Sequence, residues 1–312
     1  MRTFPFPAFL VPLLVSMVGG PILPAVHPHQ AVVHEVRLTP VQQDAIVRYW
    51  TLDRMSRAVP PIRKGSATRW FMAGPAVRRE AASSASSGGA LWTVPGKVRD
   101  TTGKVFFSLG GRDFVCSAGT VTSANRDLLV TAGHCVKDGT GVWATNWIFV
   151  PGYRDGTSPY GGFTARKMYV PDKWSSAASD DDDLAMVALG TSGGRHVADV
   201  AGAQRIGFGR PRGRETYAFG YPATGSYDGE RLAYCSGRPH DDPHRLATGQ
   251  GLRCDMTQGS SGGVWLSDFD PAAGTGTVIS VSSFKYTDED DTMYGPYFGS
   301  TAHSLYNQAQ HG

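Results

Sequence analysis

Past about residue 94, apolar positions come in short runs, at 104–109, 128–131, 147–150, 184–189, 216–219 and 277–283, separated by glycine-rich turns. Runs of that length, rich in Val, Phe, Leu and Thr and punctuated by Gly, are the pattern of strands. About 220 residues of this texture predict an all-β region, either a pair of packed barrels or a large sandwich. Upstream the pattern changes. The segment TPVQQDAIVRYWTLDRMSRAV opens with a capping box of Thr39 and Gln42, has Pro40 at the first helical position and carries Ile46, Tyr49, Trp50 and Met55 at helical spacing. It predicts a helix over about 40–58, stopped by Pro60-Pro61, and a helix showing Tyr and Trp needs a surface to dock on. The tail 300–309 predicts a short closing helix with Ser300 as its N-cap.

The first residues place Arg2 before an apolar stretch at 8–18 and then Gly19-Gly20-Pro21. That stretch is about half of the ~20 residues a spanning helix needs, so it reads as a secretory signal cut between about 24 and 31 and not as an anchor. Residues 62–90 carry Arg63-Lys64, Arg78-Arg79 and the low-complexity run AASSASSGGA, the composition of a cleavable flexible linker. The expected organisation is a signal over 1–31, a prosegment over 32–92 and a folded region over 93–312, secreted and monomeric.

Composition supports this division. Glycine, at 39 of 312 residues, is well above its usual ~7%, which argues against a helical bundle. The net charge of +3 conceals an asymmetry: residues 1–92 hold 10 basic and 4 acidic side chains, whereas 93–312 hold 20 and 23. A folded region of net −3 is a poor partner for phosphates, so nucleic-acid binding is not expected. No later stretch is long and apolar enough to span a membrane, so none is expected after export.

Three segments carry chemistry. Leu128-Leu-Val-Thr-Ala-Gly-His-Cys135 leaves a strand and sets His134 at its end, where an imidazole can serve as general base. Gly259-Ser-Ser-Gly-Gly263 is a glycine-bounded turn around Ser261 whose backbone N–H groups, Gly259 and Ser261, can face a developing oxyanion. The acidic run 180–183 precedes the strand Leu184-Ala-Met-Val187; Asp183 is placed to accept the imidazole N–H, while 180–182 read as a solvated loop or a weak Ca²⁺ site. Four cysteines, Cys116, Cys135, Cys235 and Cys254, allow three pairings and show no C-x₂-C zinc spacing. No metal or cofactor is expected. Trp143, Trp147, Tyr160 and Trp174 read as core.

In this order, Thr131-Ala-Gly-His-Cys135, Asp183-Leu-Ala-Met and Gly259-Ser-Ser-Gly-Gly263, the chain resembles the chymotrypsin-fold, trypsin-like serine peptidases over about 97–309, and within them secreted bacterial members. The resemblance implies two six-stranded antiparallel barrels, at about 97–192 and 200–299, with the site between them. It assigns His134 as base, Asp183 as its orienter and Ser261 as nucleophile, and pairs Cys116 with Cys135, leaving Cys235 for Cys254. It places Asp255 as the acid that binds a substrate Lys or Arg and Ser283 on the substrate-aligning strand. Lys285 follows where Gly is common, positioned to neutralise Asp255, and Ser282 stands where glutamate-selective relatives carry His. Ser260 stands where animal members carry the Asp that pairs with a new N-terminus, so removal of the basic prosegment is expected to act by unblocking the cleft, with the prosegment as inhibitor.

The expected function is a secreted serine endopeptidase acting on protein or peptide substrates after Lys or Arg, made as a zymogen. Two other classes compete. Gly259-Ser-Ser-Gly-Gly263 also satisfies the G-x-S-x-G elbow of secreted esterases, but that motif needs a helix after the serine and an Asp and His beyond it. A non-catalytic peptide-binding module would ordinarily lack a triad member, and none is missing.

Overall fold

The structure, a computed structural model, describes residues 1, 30–61, 86–244, 247–286 and 289–312. The expected signal, apart from its ends, and most of the expected linker lie outside the described residues. Among the described residues the first element is β1 (Ala31–Glu35), on barrel one, followed by α1 (Pro40–Tyr49) and α2 (Leu52–Arg57). The capping box forms: Thr39 Oγ1 accepts the Gln42 N–H, and the Gln42 side chain accepts the Thr39 N–H at 2.8 Å. The single helix expected over 40–58 is instead two. Trp50 turns inward, 4% exposed, with its indole N–H donating to the Asn146 carbonyl at 2.6 Å, and Thr51 then caps a new helix through the Arg54 N–H. Tertiary burial of one aromatic outweighs helical continuity at that turn.

Six strands close barrel one: β3 (Thr102–Leu109), β4 (Arg112–Thr120), β5 (Leu128–Thr131), β6 (Thr145–Pro151), β7 (Phe163–Pro171) and β8 (Ala185–Leu189), preceded by β2 (Ala90–Leu91) and α3 (Lys97–Thr101). The order is β7-β6-β3-β4-β5-β8 with β8 returning to β7, and β1 adds outside β7. The β3–β4 hairpin turns through Gly110-Gly111, both at positive φ, as a two-residue loop requires. Alternate residues, among them Val105, Phe107, Cys116, Leu129, Phe149 and Val187, fill the barrel. Their neighbours Phe106, Val115, Val130, Ile148 and Met186 face outward into one cluster with Trp50 and Met55 upstream, Phe219 and Val264 of the second half and Leu305 near the C-terminus, which is why these strands read as continuous apolar runs. Trp147 and Trp174 are core as expected; Trp143 and Tyr160 are half-buried against it.

The second half is antiparallel apart from one short parallel pairing at its edge. Its strands are β9 (Arg205–Ile206), β10 (Thr216–Gly220), β11 (Ala233–Gly237), β12 (His240–Asp241), β13 (Gln250–Arg253), β14 (Val264–Asp270), β15 (Thr275–Val281) and β16 (Thr292–Gly295). They form two sheets, β2-β11-β10-β14-β15-β9 and β12-β13-β16. One seam is tied by Cys235–Cys254 and the other by the bridge of Phe284 to Tyr294. Residues 86–92 belong to this half: Ser87 exchanges hydrogen bonds with Ser236, β2 pairs with β11, and Trp92 is ringed by Tyr217, Phe219, Tyr234 and Phe269. The expected boundary at 92–93 thus falls inside a packed stretch. After α4 (Asp172–Ala177) and α5 (Val197–Val200), the chain ends in α6 (Ser300–Ala309), which packs over β7 and β8 through Ala302, Leu305 and Ala309. Gly299, not Ser300, occupies the cap position, and Ser300 is the first helical residue.

The halves are joined by an ion pair between a buried lysine and a half-buried glutamate. Lys104 of β3 lies 3.5 Å from Glu230 in the β10–β11 loop, and its Nζ sits 4.3 Å from the Tyr153 ring centroid; Tyr153 donates its hydroxyl to the same carboxylate at 2.9 Å. Burial pushes the Lys104 pKa down, with Glu230 opposing the shift. Removing one partner strands the other charge. With Glu230 half-exposed, Glu230→Gln is therefore expected to cost about 1–2 kcal/mol, read as a lower denaturant midpoint with the slope unchanged.

Candidate active site

His134 sits in a 3-10 turn (Gly133–Cys135) where β5 leaves barrel one. Three packing contacts fix that turn. Gly133 abuts Trp174, where an added Cβ would lie 2.9 Å from the indole; the Trp147 indole donates to the Cys135 carbonyl at 2.9 Å; and Cys135 is bonded to Cys116 of β4. Each disulfide spans a sequence separation of 19 residues, a loop whose closure is worth about 3 kcal/mol in the chain-entropy view.

Asp183, fully buried, lies just before β8, the strand paired with β5, so sheet pairing alone brings it beside His134. Its Oδ1 accepts the His134 backbone N–H at 2.9 Å, and its Oδ2 lies 2.9 Å from His134 Nδ1. Ser283 donates its hydroxyl to Oδ2. A buried carboxylate needs such donors, and this set orients the imidazole with Nδ1 as the proton-bearing nitrogen. Among the described residues, His134 Nε2 is buried with no hydrogen-bond partner, Ser261 included. In substrate-free sites that bond is commonly long.

The serine turn sits between β13 and β14, against barrel one. Ser117 of β4 organises it: its backbone N–H donates to the Ser261 carbonyl at 2.7 Å, and its hydroxyl donates to the Gly259 carbonyl and accepts the Tyr221 N–H, both at 2.9 Å. The Ser261 carbonyl lies 3.8 Å from Cys135 Sγ, next to the His134 turn. Gly262, at φ +79°, presses on β5, and a Cβ there would lie 2.0 Å from Thr131 Oγ1. The Gln258 carbonyl accepts the Ala223 N–H at 2.7 Å; because N–H and C=O of one peptide oppose each other, the Gly259 N–H is directed away from Ala223. Neither it nor the Ser261 N–H donates to another backbone group among the described residues. Ser260 is fully buried and donates to the Thr257 carbonyl at 2.6 Å.

Other expected positions fall differently. Ser283 uses its hydroxyl on Asp183 and not on an open substrate face. Ser282 is buried, its hydroxyl taken by the Trp265 indole at 3.0 Å. Asp255 is exposed instead of closing a pocket floor: it accepts the Tyr227 hydroxyl at 2.7 Å, and Gly89 lies so close that a Cβ there would be 1.6 Å from its carboxylate. The Lys285 ammonium donates to the Cys254 carbonyl at 2.7 Å and to the Asp290 carbonyl, in the field of Asp255. Burial pushes its pKa down to about 8, while Asp255, Asp290 and Asp291 hold it up. Of the acidic run, Asp182 is buried on Ser179, and Asp181 accepts the Thr248 N–H, so the solvated-loop reading does not hold for Asp182. Ser117 was not legible as functional, since a serine beside a strand cysteine carries no motif.

Comparison with known proteins agrees with this architecture. No family model matches the chain, and no curated protein matches it. Among solved structures, protease Anisep from Arthrobacter nicotinovorans is 40% identical, with a TM-score of 0.66, covering 73% of this chain and 99% of that one. Serine protease AL20 from an extremophilic microorganism is also 40% identical, with a TM-score of 0.65, covering 69% and 99%. Glu endopeptidase, at 18% identity and a TM-score of 0.57 over 72% and 98%, shares the fold. The chain belongs to the chymotrypsin-fold, trypsin-like serine peptidases. The strand β14 directly after the serine turn also excludes the esterase elbow, which needs a helix there.

Ser117→Ala removes two buried hydrogen bonds and leaves the Gly259 carbonyl and Tyr221 N–H without their partner. It is expected to cost about 3 kcal/mol, measured by denaturant unfolding, with the fluorescence of the folded state unchanged.

Proposed function

We propose that the protein is a secreted serine endopeptidase working through an acyl-enzyme. The observation that carries this reading is the fully buried Asp183 carboxylate holding His134 Nδ1, with Nε2 left unpartnered beside the serine turn. Ser261 Oγ attacks the scissile carbonyl carbon while its proton passes to His134 Nε2. The oxyanion that forms is met by the N–H groups of Gly259 and Ser261. Collapse breaks the C–N bond, and His134 hands the proton to the leaving amine. Water, deprotonated by His134, then releases the acid and restores Ser261. Asp183 keeps the imidazole in the tautomer this requires, and Ser283 positions Asp183. Two disulfides and the apolar N-terminal stretch support an extracellular location.

Asp255 supports cleavage after Arg or Lys, and Lys285 opposes it. At pH 7 the Lys285 ammonium is charged and offsets Asp255; above about 8 it loses its proton and the carboxylate stands alone. Because Asp255 is exposed and its charge screened, the preference for Arg over neutral residues before the cut is expected to rise only about threefold between pH 7 and 9. Lys285→Ala is expected to show the higher preference throughout and to lose the pH dependence.

The direct test is digestion of a diverse peptide library by the processed protein, with Ser261→Ala as control and every cut mapped by mass spectrometry. Cuts lost in the control are expected. Processed, folded protein that cuts nothing would place the chain among non-catalytic peptide-binding modules.

A further inference from the structure

We propose that residues 30–61 are a permanent part of barrel one, an arm that stays docked after the chain is cut within 62–85, so that the processed protein is a non-covalent assembly of two chains. An inhibitory segment must reach the cleft it blocks. This arm does the reverse. β1 pairs with β7 over five residues, Ala31 to Glu35 against Pro171 to Lys167, where β7 has parted from β6 and has an open edge. The pairing is extended at both ends, by the Asp172 N–H to the Gln30 carbonyl and the Val36 N–H to the Arg166 carbonyl, and Glu35 pairs with Lys167 at 3.1 Å. The arm then crosses the barrel wall. Trp50 lies on Phe106 with ring centroids 5.5 Å apart, and Met55 is buried in the same cluster. Tyr49 and Arg54 grip the two oxygens of Asp113 at 2.8 and 3.0 Å. Finally Val59 joins the edge of β4, donating to the Asp113 carbonyl and accepting the Val115 N–H.

Among the described residues, the hydrogen bonds, ion pairs and ring contacts of 30–61 go to barrel one or to the arm itself; none reaches His134, Asp255, Ser261 or Ser283. Departure of the arm would leave two strand edges unpaired and the Phe106 face uncovered, a state that invites aggregation. In the other direction, α1 contains no buried residue and has no core of its own. Each part therefore completes the other.

A recognition sequence for a site-specific protease, placed within 62–85 of the full chain carrying Ser261→Ala, allows a single cut without self-digestion. Size exclusion and native mass spectrometry at micromolar concentration then show whether the fragment holding 30–61 remains with the fragment holding 93–312. Retention is expected, with Trp50→Ala and Asp113→Asn each weakening it at least tenfold. Separation of the two fragments while the larger stays folded would overturn the proposal, as would retention indifferent to both substitutions. The readout is binding, so it stands apart from whether Ser261 is the nucleophile.

Discussion

A fully buried carboxylate sets the terms for the rest of this structure. Asp183 has no solvent to share its charge with, so its oxygens must be met by donors from the protein, and those donors come from two distant segments: the His134 turn and Ser283. Any arrangement that withdrew one donor would strand a charge in an apolar surround, at a cost of several kcal/mol. Satisfying Asp183 therefore fixes the imidazole's orientation and ties the segment just after β15 to barrel one.

The serine turn is held to the same frame from the other side. Gly262 donates its N–H to the Ser282 carbonyl and Ser282 donates its own to the Gly263 carbonyl, so the segment that supplies Ser283 to Asp183 is hydrogen-bonded to the turn that carries Ser261. Ser117 closes the circuit by stitching that turn to β4, one residue from the disulfide that anchors the His134 turn. Positioning of this kind depends on rigid elements and not on flexible loops. The Lys104–Glu230 pair and Tyr153 hold the two halves in the relation this circuit needs.

Much of this was legible in the sequence because local chemistry and topology coincide. The strands were readable from apolar runs between glycines, and His134, Asp183 and Ser261 from the motifs around them. What escaped reading depends on tertiary context. Nothing local marks Trp50 as the residue that breaks the first helix; only the Asn146 carbonyl and Phe106, far along the chain, give it a place to go. Ser117 has no signature, and Ser283 was legible only as a substrate-side residue, since the value of both lies in hydroxyls aimed at residues more than ninety positions away. Asp255 sits at the expected offset from Ser261, yet offset cannot report that it is exposed and that Gly89 lies on it.

The central claim is that the geometry around Asp183 makes Ser261 a nucleophile. The most direct measurement is exposure of the processed protein to a fluorophosphonate, followed by proteolysis in denaturant and mass-spectrometric mapping of the adduct. The account requires a single adduct on Ser261, its rate of formation falling by orders of magnitude in His134→Ala. A folded protein that takes no adduct, or takes it on another serine, would contradict it.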